Sequence, residues 1–371
     1  MRPLVLLPLL VACSPKSGPA TLQAELDRLV ADNGGYGGGI FQVTIGDDIY
    51  WEGTSGHLDH TSAQPMRLDT PFEIASTSKL FTAAAILVLV EEGRFTLDTP
   101  LSQLLDPAIT TDLLVIDGIQ HGPAITVAQL LQHTSGLPDY WYDPPYVRGQ
   151  HNAFVVEYID QVDHFYEPPE LIDACKALDP IGVPGTVHHY GDCSYVLLGL
   201  IAEATTGETL HEVYNARLYA PLGLTDTHLP FREDPRSAEP ASHRYEGTWD
   251  MTDKPHQSAD WAGGGLISTT TDLARFMGGL ARGELFSDPS TLDALQDWTD
   301  VEPWVWYGLG AFKARLPNDR GHVWGHDGYG NAWMYYWPEQ DALLTGTLNQ
   351  THNDWWPLVV AATRAIEADG A

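Results

Sequence analysis

Basic residues are scarce in this chain: 19 Lys and Arg stand against 50 Asp and Glu over 371 residues, a formal net charge of −31. A surface that acidic repels phosphate backbones, which argues against nucleic acid as a partner; solubility is the simplest role of the charge. Cysteine is nearly absent too. There are three, none in a C-x-x-C pair, so a structural zinc site has no ligand set. Long apolar runs are missing: the one clear stretch, residues 4–12, is far shorter than the ~20 residues that span a bilayer. No internal repeat is present. His133, His188 and His189 invite a metal reading, but no H-E-x-x-H spacing supports it. The run Gly263-Gly264-Gly265 is followed by no G-K-[ST], which excludes a phosphate loop. The expectation is therefore no metal and no cofactor.

What is present begins with an export pattern. Arg2 precedes the apolar LVLLPLLVA stretch, which ends in Leu10-Val11-Ala12-Cys13. That ending resembles a bacterial lipobox, in which the Cys is acylated and becomes the new N-terminus; an ordinary cleaved signal peptide is the alternative. Residues 14–19 (SPKSGP) read as a flexible tether. Residues 1–19 are thus expected to be a lipoprotein signal and tether, and the protein to be exported, periplasmic or cell-surface, and anchored to a bacterial membrane through Cys13. In an oxidising compartment the remaining Cys175 and Cys193 suggest a disulfide closing a short loop. Two separate buried thiols are the other reading.

With 43% hydrophobic residues the chain can bury a large core. Residues 21–32 place Leu22, Leu26, Leu29 and Val30 on one helical face, and residues 40–53 read as a hairpin around a Gly-Asp-Asp turn. Helical patterns follow: residues 76–92 up to Gly93, a T-x-x-Q capping box at Thr126 and Gln129, residues 195–206 up to Gly207, and residues 270–281. Strand character returns in WYGLGAFKARL, HVWGH, WMYYW and ALLTGTL, and a last helix starts near Pro357. The economical arrangement is α+β: an antiparallel sheet flanked by N- and C-terminal helices, with an inserted, mostly helical domain. Residues 20–75 plus 256–371 form the discontinuous sheet domain in this reading, and residues 76–255 the helical one. A cleft between the two is the natural place for a site, with several of the 12 Trp and 16 Tyr lining it.

Chemistry concentrates at Ser76 and Lys79, three apart at the start of a long helix, which puts hydroxyl and amine on one face. A serine hydroxyl is a weak nucleophile until a neighbouring base takes its proton, and a helix start favours developing negative charge. Four residues alone could equally be an N-cap serine with a solvated lysine.

The rest of the chain resembles the serine β-lactamase-related, penicillin-binding-protein-like family, which includes class C β-lactamases, D-alanyl-D-alanine carboxypeptidases, D-aminopeptidases and esterases. The resemblance covers residues 21–368 in order: S-x-x-K at Ser76, LVEEGRFTLDTPL, LLQHTSGLPDY from Leu130, HHYGDCSYVLLGLIAEATTG from His188, Pro221-Leu222-Gly223-Leu224 with Thr227, AGGGLISTTTDLARF from Ala262, YGLG from Tyr307, and Gly325-His326-Asp327-Gly328. It implies the family's β-lactamase/transpeptidase-like fold and an acyl-enzyme on Ser76 with Lys79 as its partner. It implies that Tyr190, matching the tyrosine of Y-x-N, relays protons. It implies that His326 assists from the K-T-G-like strand, and that the backbone N–H groups of Ser76 and Tyr329 form the oxyanion hole. Asp192, Asp327 and Gly328 fall in motifs that line the family's substrate cleft.

Two residues depart from the family pattern. Asp192 stands where Asn is usual, and a carboxylate beside Lys79 favours its ammonium form. Asp327 stands where carboxypeptidases carry a Thr that binds the substrate's carboxylate. Lys313 or Arg315, just beyond YGLG, could supply the cation such a substrate needs. The expected function is a serine hydrolase of peptides, amides or esters, D-Ala-D-Ala carboxypeptidase-like, with a small cell-wall peptide or ester as partner. The alternatives are a class C-type β-lactamase or esterase and, of another kind, an inactive surface binding protein.

Overall fold

The computed structural model describes residues 18–370 apart from 33, 35, 352 and 353; the lipidation site expected at Cys13 lies outside the described residues. The centre of the molecule is one antiparallel sheet of eight strands. Two come from the start of the chain, β1 (Gly38–Ile45) and β2 (Asp48–Gly56). Six come from its end: β3 (Thr299–Glu302), β4 (Val305–Tyr307), β5 (Phe312–Arg315), β6 (His322–Gly328), β7 (Ala332–Trp337) and β8 (Ala342–Thr347). The order is β3-β4-β5-β6-β7-β8-β1-β2, so β1 lies between its own hairpin partner and β8. The register aligns Ile40 with Thr347 and Ile45 with Ala342.

Strand periodicity divides the sheet between two cores. On one face Phe41, Val43, Trp333, Trp337 and Leu344 meet two terminal helices, α1 (Gly18–Asp32) and α7 (Trp356–Asp369), through Leu22, Leu26, Leu358 and Ile366. On the other, Ile40, Met334 and Leu343 join a larger core that runs into the helical part of the molecule. The Thr270–Ala281 helix, α6, covers this inner face; Thr269 caps it, and Phe276 stacks on Phe81 at 3.7 Å.

Three further helices position the site. The Ser78–Glu91 helix, α2, is apolar nearly all round, as a helix buried at a domain centre should be. It packs against α5 (Asp192–Thr206), which Gly207 ends in the left-handed region. The Pro168–Lys176 helix, α4, lies on α5 and is joined to it by the Cys175–Cys193 disulfide. Closing so short a loop contributes about 3 kcal/mol on the chain-entropy account. The bond ties down the end of α5 that carries Asp192. The short Ala153–Asp160 helix, α3, capped by Asn152, walls the outer part of the cleft. Among the described residues no helix is long and apolar enough to cross a membrane.

Candidate active site

Ser76 sits in a single 3-10 turn, Ala75–Thr77, that runs directly into α2. Long-range bonds hold this turn. Ile74 N–H donates to Leu266 O at 3.0 Å, Leu266 N–H donates to Ser78 Oγ at 3.1 Å, and Thr77 Oγ1 donates to Ala332 O at 3.3 Å. Ala75 is held at φ +44, a conformation that costs a residue with a Cβ of order 1–3 kcal/mol and is met mostly where surrounding structure enforces it. The strain falls on the residue immediately before the proposed nucleophile.

Lys79 is fully buried, and its ammonium spends all three N–H bonds: on Ser76 Oγ at 3.0 Å, on Asp192 Oδ1 at 2.5 Å and on Gly263 O at 2.8 Å. The ion pair requires a glycine at 263, because a Cβ there would lie 2.1 Å from Asp192 Oδ1. Asp192 is set by its neighbour as well as by α5: its own N–H donates to Asp139 Oδ1 at 3.0 Å. Burial, reinforced by the Asp192 charge, pushes the Asp139 carboxyl up to about 7.

Tyr190 lies between these groups and the cleft. Its hydroxyl hydrogen-bonds Ser76, and Lys79 Nζ stands 5.0 Å from its ring centre. Burial holds the phenol well above its ordinary range; Asp192, Asp327 and Asp139 push the same way, and the Ser76 bond opposes them. Tyr190 is therefore a neutral phenol at rest. The loop before it is pinned twice: His189 pairs with Asp143 at 2.6 Å, and Gly191 N–H donates to His133 Nδ1 at 3.3 Å.

His326 is buried behind this cluster, its ring 6.1 Å from that of Tyr190. Its Nδ1 bonds Asp327 O at 2.6 Å, and its Nε2 has no partner among the described residues. Burial and the Lys79 charge bring it down to about 3, so it is a neutral imidazole, and no hydrogen bond joins it to Ser76 or Tyr190. Gly328, two residues on, lies hard against the nucleophile turn: a Cβ there would sit 2.3 Å from Ile74 O and 3.0 Å from Ser76 N. That approach sets the Tyr329 peptide alongside Ser76.

These residues open onto a cleft of about 900 Å³, lined by Ser76, Tyr190, Asp192, Asp327, Gly328 and Tyr329 at one end. The carboxyl of Asp327 accepts from Tyr335 Oη at 2.6 Å, and burial raises it above its usual range. The cation expected beyond YGLG is not in the cleft. Lys313 lies between the Trp298 and Trp306 rings, and Arg315 covers Trp304 and pairs with Asp319, because successive β5 side chains alternate and it is Phe312 that lines the cleft.

Sequence reasoning missed another cation and two carboxylates. Arg244, buried in the cleft wall, pairs with Glu73 at 3.0 Å, and Gln257 Nε2 holds the other Glu73 oxygen at 2.9 Å. Asp260 lines the same wall, its carboxyl pushed up to about 6 by burial. Neither Arg244 nor Asp260 lies in a periodic segment or a nameable motif, and only the folded chain brings them beside Ser76.

The family model described as Beta-lactamase matches residues 24–364. The chain belongs to the Beta-lactamase family. Among solved structures similar to this family member, a D-stereospecific amidohydrolase from Streptomyces sp. has TM-score 0.78 and 28% identity over 92% of this chain and 98% of that one. The D-amino acid amidase from Ochrobactrum anthropi SV3 complexed with D-phenylalanine shares the fold, with TM-score 0.76 and 24% identity over 95% and 98% of the two chains. Penicillin-binding protein 4 of Amycolatopsis lactamdurans is 29% identical over 248 residues, 64% of this chain and 58% of that protein. Esterase EstB of Burkholderia gladioli is 30% identical over 207 residues, 55% and 50% of the two. The chain spans about half the length of the curated relatives it matches. The α+β architecture expected from the sequence is the one shared with these solved structures.

Proposed function

We propose that this family member is a serine hydrolase that opens amide or ester bonds through an acyl-enzyme on Ser76. The observation that carries the reading is the Lys79 ammonium 3.0 Å from Ser76 Oγ, with the Tyr190 hydroxyl bonded to the same serine. Lys79, held by Asp192 and Gly263, acts as a fixed positive charge that favours the alkoxide developing on Ser76. Tyr190 takes the serine proton as its own proton passes to the leaving group, so no free phenolate accumulates among the nearby carboxylates. The N–H groups of Ser76 and Tyr329 receive the carbonyl oxygen; each preorganised donor of this kind is worth about 3 kcal/mol on the barrier. Water then releases the acyl group by the reverse relay. His326 keeps a packing and orienting role, because a neutral ring with no bond to the reacting groups carries no proton for them.

A serine-reactive fluorophosphonate should add once, at Ser76, as read by intact mass and peptide mapping. An adduct that persists in Ser76→Ala would point to another nucleophile, and no adduct at all would favour an inactive binding protein.

The cleft's charges favour amides, esters and amine-bearing substrates over peptides ending in a free carboxylate. Asp192 is balanced by Lys79 and Glu73 by Arg244, which leaves Asp260, Asp327 and Glu246 as uncompensated carboxyl groups in the lining. Like charges about 4 Å apart repel by roughly 4 kcal/mol at an effective dielectric near 20. A D-Ala-D-Ala peptide should therefore have a higher kcat/KM as its C-terminal amide than as its free acid. A second reading, the carboxypeptidase one, is favoured by Arg244 Nε, which is buried without a hydrogen-bond partner among the described residues; a better free acid would select it.

The same proposal places the enzyme outside the cytoplasm on a lipid anchor at Cys13. The lipobox-like Leu10-Val11-Ala12-Cys13 and the Cys175–Cys193 bond, which belongs to oxidising compartments, support that location.

A further inference from the structure

Beyond the reacting groups the cleft widens into a compartment walled by Trp141, Val155, Tyr158, Ile159, Trp249 and Met251. Val155, Tyr158 and Ile159 fall on one face of α3, so the helix presents an apolar wall rather than isolated contacts. Asp260 stands where this compartment meets the nucleophile. Gly264 brings the two together: a Cβ there would lie 3.4 Å from the Ala75 carbonyl carbon and 3.5 Å from Asp260 Cβ. The Asp260 backbone is fixed, its carbonyl accepting from Gly263 N–H at 2.9 Å and Gly264 N–H at 2.7 Å. Its carboxylate accepts no hydrogen bond among the described residues, whereas every neighbouring charge is engaged: Lys79 with Asp192, and Arg244 with Glu73. Asp260 therefore offers a half-buried carboxylate with free acceptors to a cleft that also carries apolar walls, where an ammonium group is its natural complement.

We propose that Asp260 receives the free α-ammonium group of the substrate, and that the compartment beside it takes a large apolar side chain. The substrate class is then an amide or ester of an α-amino acid with a free amine and an aromatic or branched side chain. The proposal rests on Ser76 as the nucleophile. With the scissile carbonyl on Ser76, the α-nitrogen is two bonds away, and Asp260 lines the same cleft close to Ala75, the residue before Ser76. The aromatic walls suit the other substituent on the same α-carbon, and Tyr158 lies close enough to Asp260 to feel its charge. Burial, first, then Asp192 and Glu73 raise the Asp260 carboxyl, while Arg244 and Lys79 oppose them; a docked ammonium adds to the opposing side and draws the carboxylate fully into its charged form.

The test reads binding, not turnover, so it stands apart from the hydrolase reading. The full chain carrying Ser76→Ala is titrated by calorimetry with D- and L-phenylalaninamide, with their N-acetyl derivatives and with D- and L-phenylalanine as the free acids. At least one free-amine enantiomer should bind tenfold or more tighter than its acetylated form. Adding Asp260→Asn should bring that ratio below threefold and leave the acetylated ligands unchanged. Equal binding of amine and acetyl forms overturns the proposal without any substitution at Asp260. So does a preference that survives Asp260→Asn, and so does tighter binding of phenylalanine as the free acid, which would assign the compartment to Arg244. Loss of probe labelling at Ser76 would sink the hydrolase reading and leave this result standing.

Discussion

Replacing Ser76 by alanine should lower kcat/KM on any amide or ester substrate by at least about 10⁴-fold, because nucleophile and proton relay act as a unit and neither works alone. Little of this loss should come from unfolding. The side chain is part-buried in the cleft lining, and the turn that carries it is held by Ile74, Thr77 and Ser78, not by the Ser76 side chain. Lys79 keeps Asp192 and Gly263 when the hydroxyl goes. The measurement is a pair: kinetics on a chromogenic ester and amide, and a urea unfolding curve of the same preparation. A Ser76→Ala protein with an unchanged curve and a tenth or more of parental activity would show that the chemistry lies elsewhere in the cleft.

The second large effect is on stability. Asp192→Ala removes the acceptor 2.5 Å from an ammonium with no solvent access, leaving it Ser76 Oγ and Gly263 O alone. Breaking a buried pair by deleting one member costs about 3–5 kcal/mol, since the surviving charge has lost its compensation. Asp192→Asn retains an oxygen at that position and should lose distinctly less. The contrast is the test: the unfolding midpoint should fall in the order parent, Asn, Ala, with the Ala variant also failing to label at Ser76. An Ala variant within about 1 kcal/mol of the parent would mean that Lys79 recruits another acceptor, and that the pair contributes little net energy.

Local rules were legible in the sequence wherever one residue decides one turn. Thr126 and Gln129 do form a reciprocal capping box, Gly207 does end α5 with positive φ, and residues 270–281 are a helix over that span. The helix read from residue 76 instead starts at Ser78, because Ala75–Thr77 tightens into a 3-10 turn under the strain at Ala75. Backbone strain of that kind leaves no trace in composition: alanine is an ordinary residue, and only its surroundings force φ +44 upon it. Of the candidate site, Ser76, Lys79, Tyr190 and Gly328 stand in motifs and could be named in advance. Glu73, Asp139, Arg244 and Asp260 could not, since their roles come from pairings across the fold, such as Arg244 with Glu73, that no spacing encodes. Lys313 was misjudged for a simpler reason. Which way a side chain faces depends on the register of β5 with β6, and that register is set by strands the local sequence does not mention.

The position of β1 between β2 and β8 bears on how the molecule comes into being. Phe41 and Val43 find their partners Gly346 and Leu344 only after about 300 further residues have been made, so a chain growing from its N-terminus carries an unfinished, sticky hairpin through nearly all of its synthesis. Closing so long a loop costs only slightly more entropy than closing one half its length, so the penalty falls on timing and on exposure to wrong partners far more than on final stability. While β8 is missing, β1 has a partner on one side only, and the two ends of the eight-stranded sheet cannot be joined.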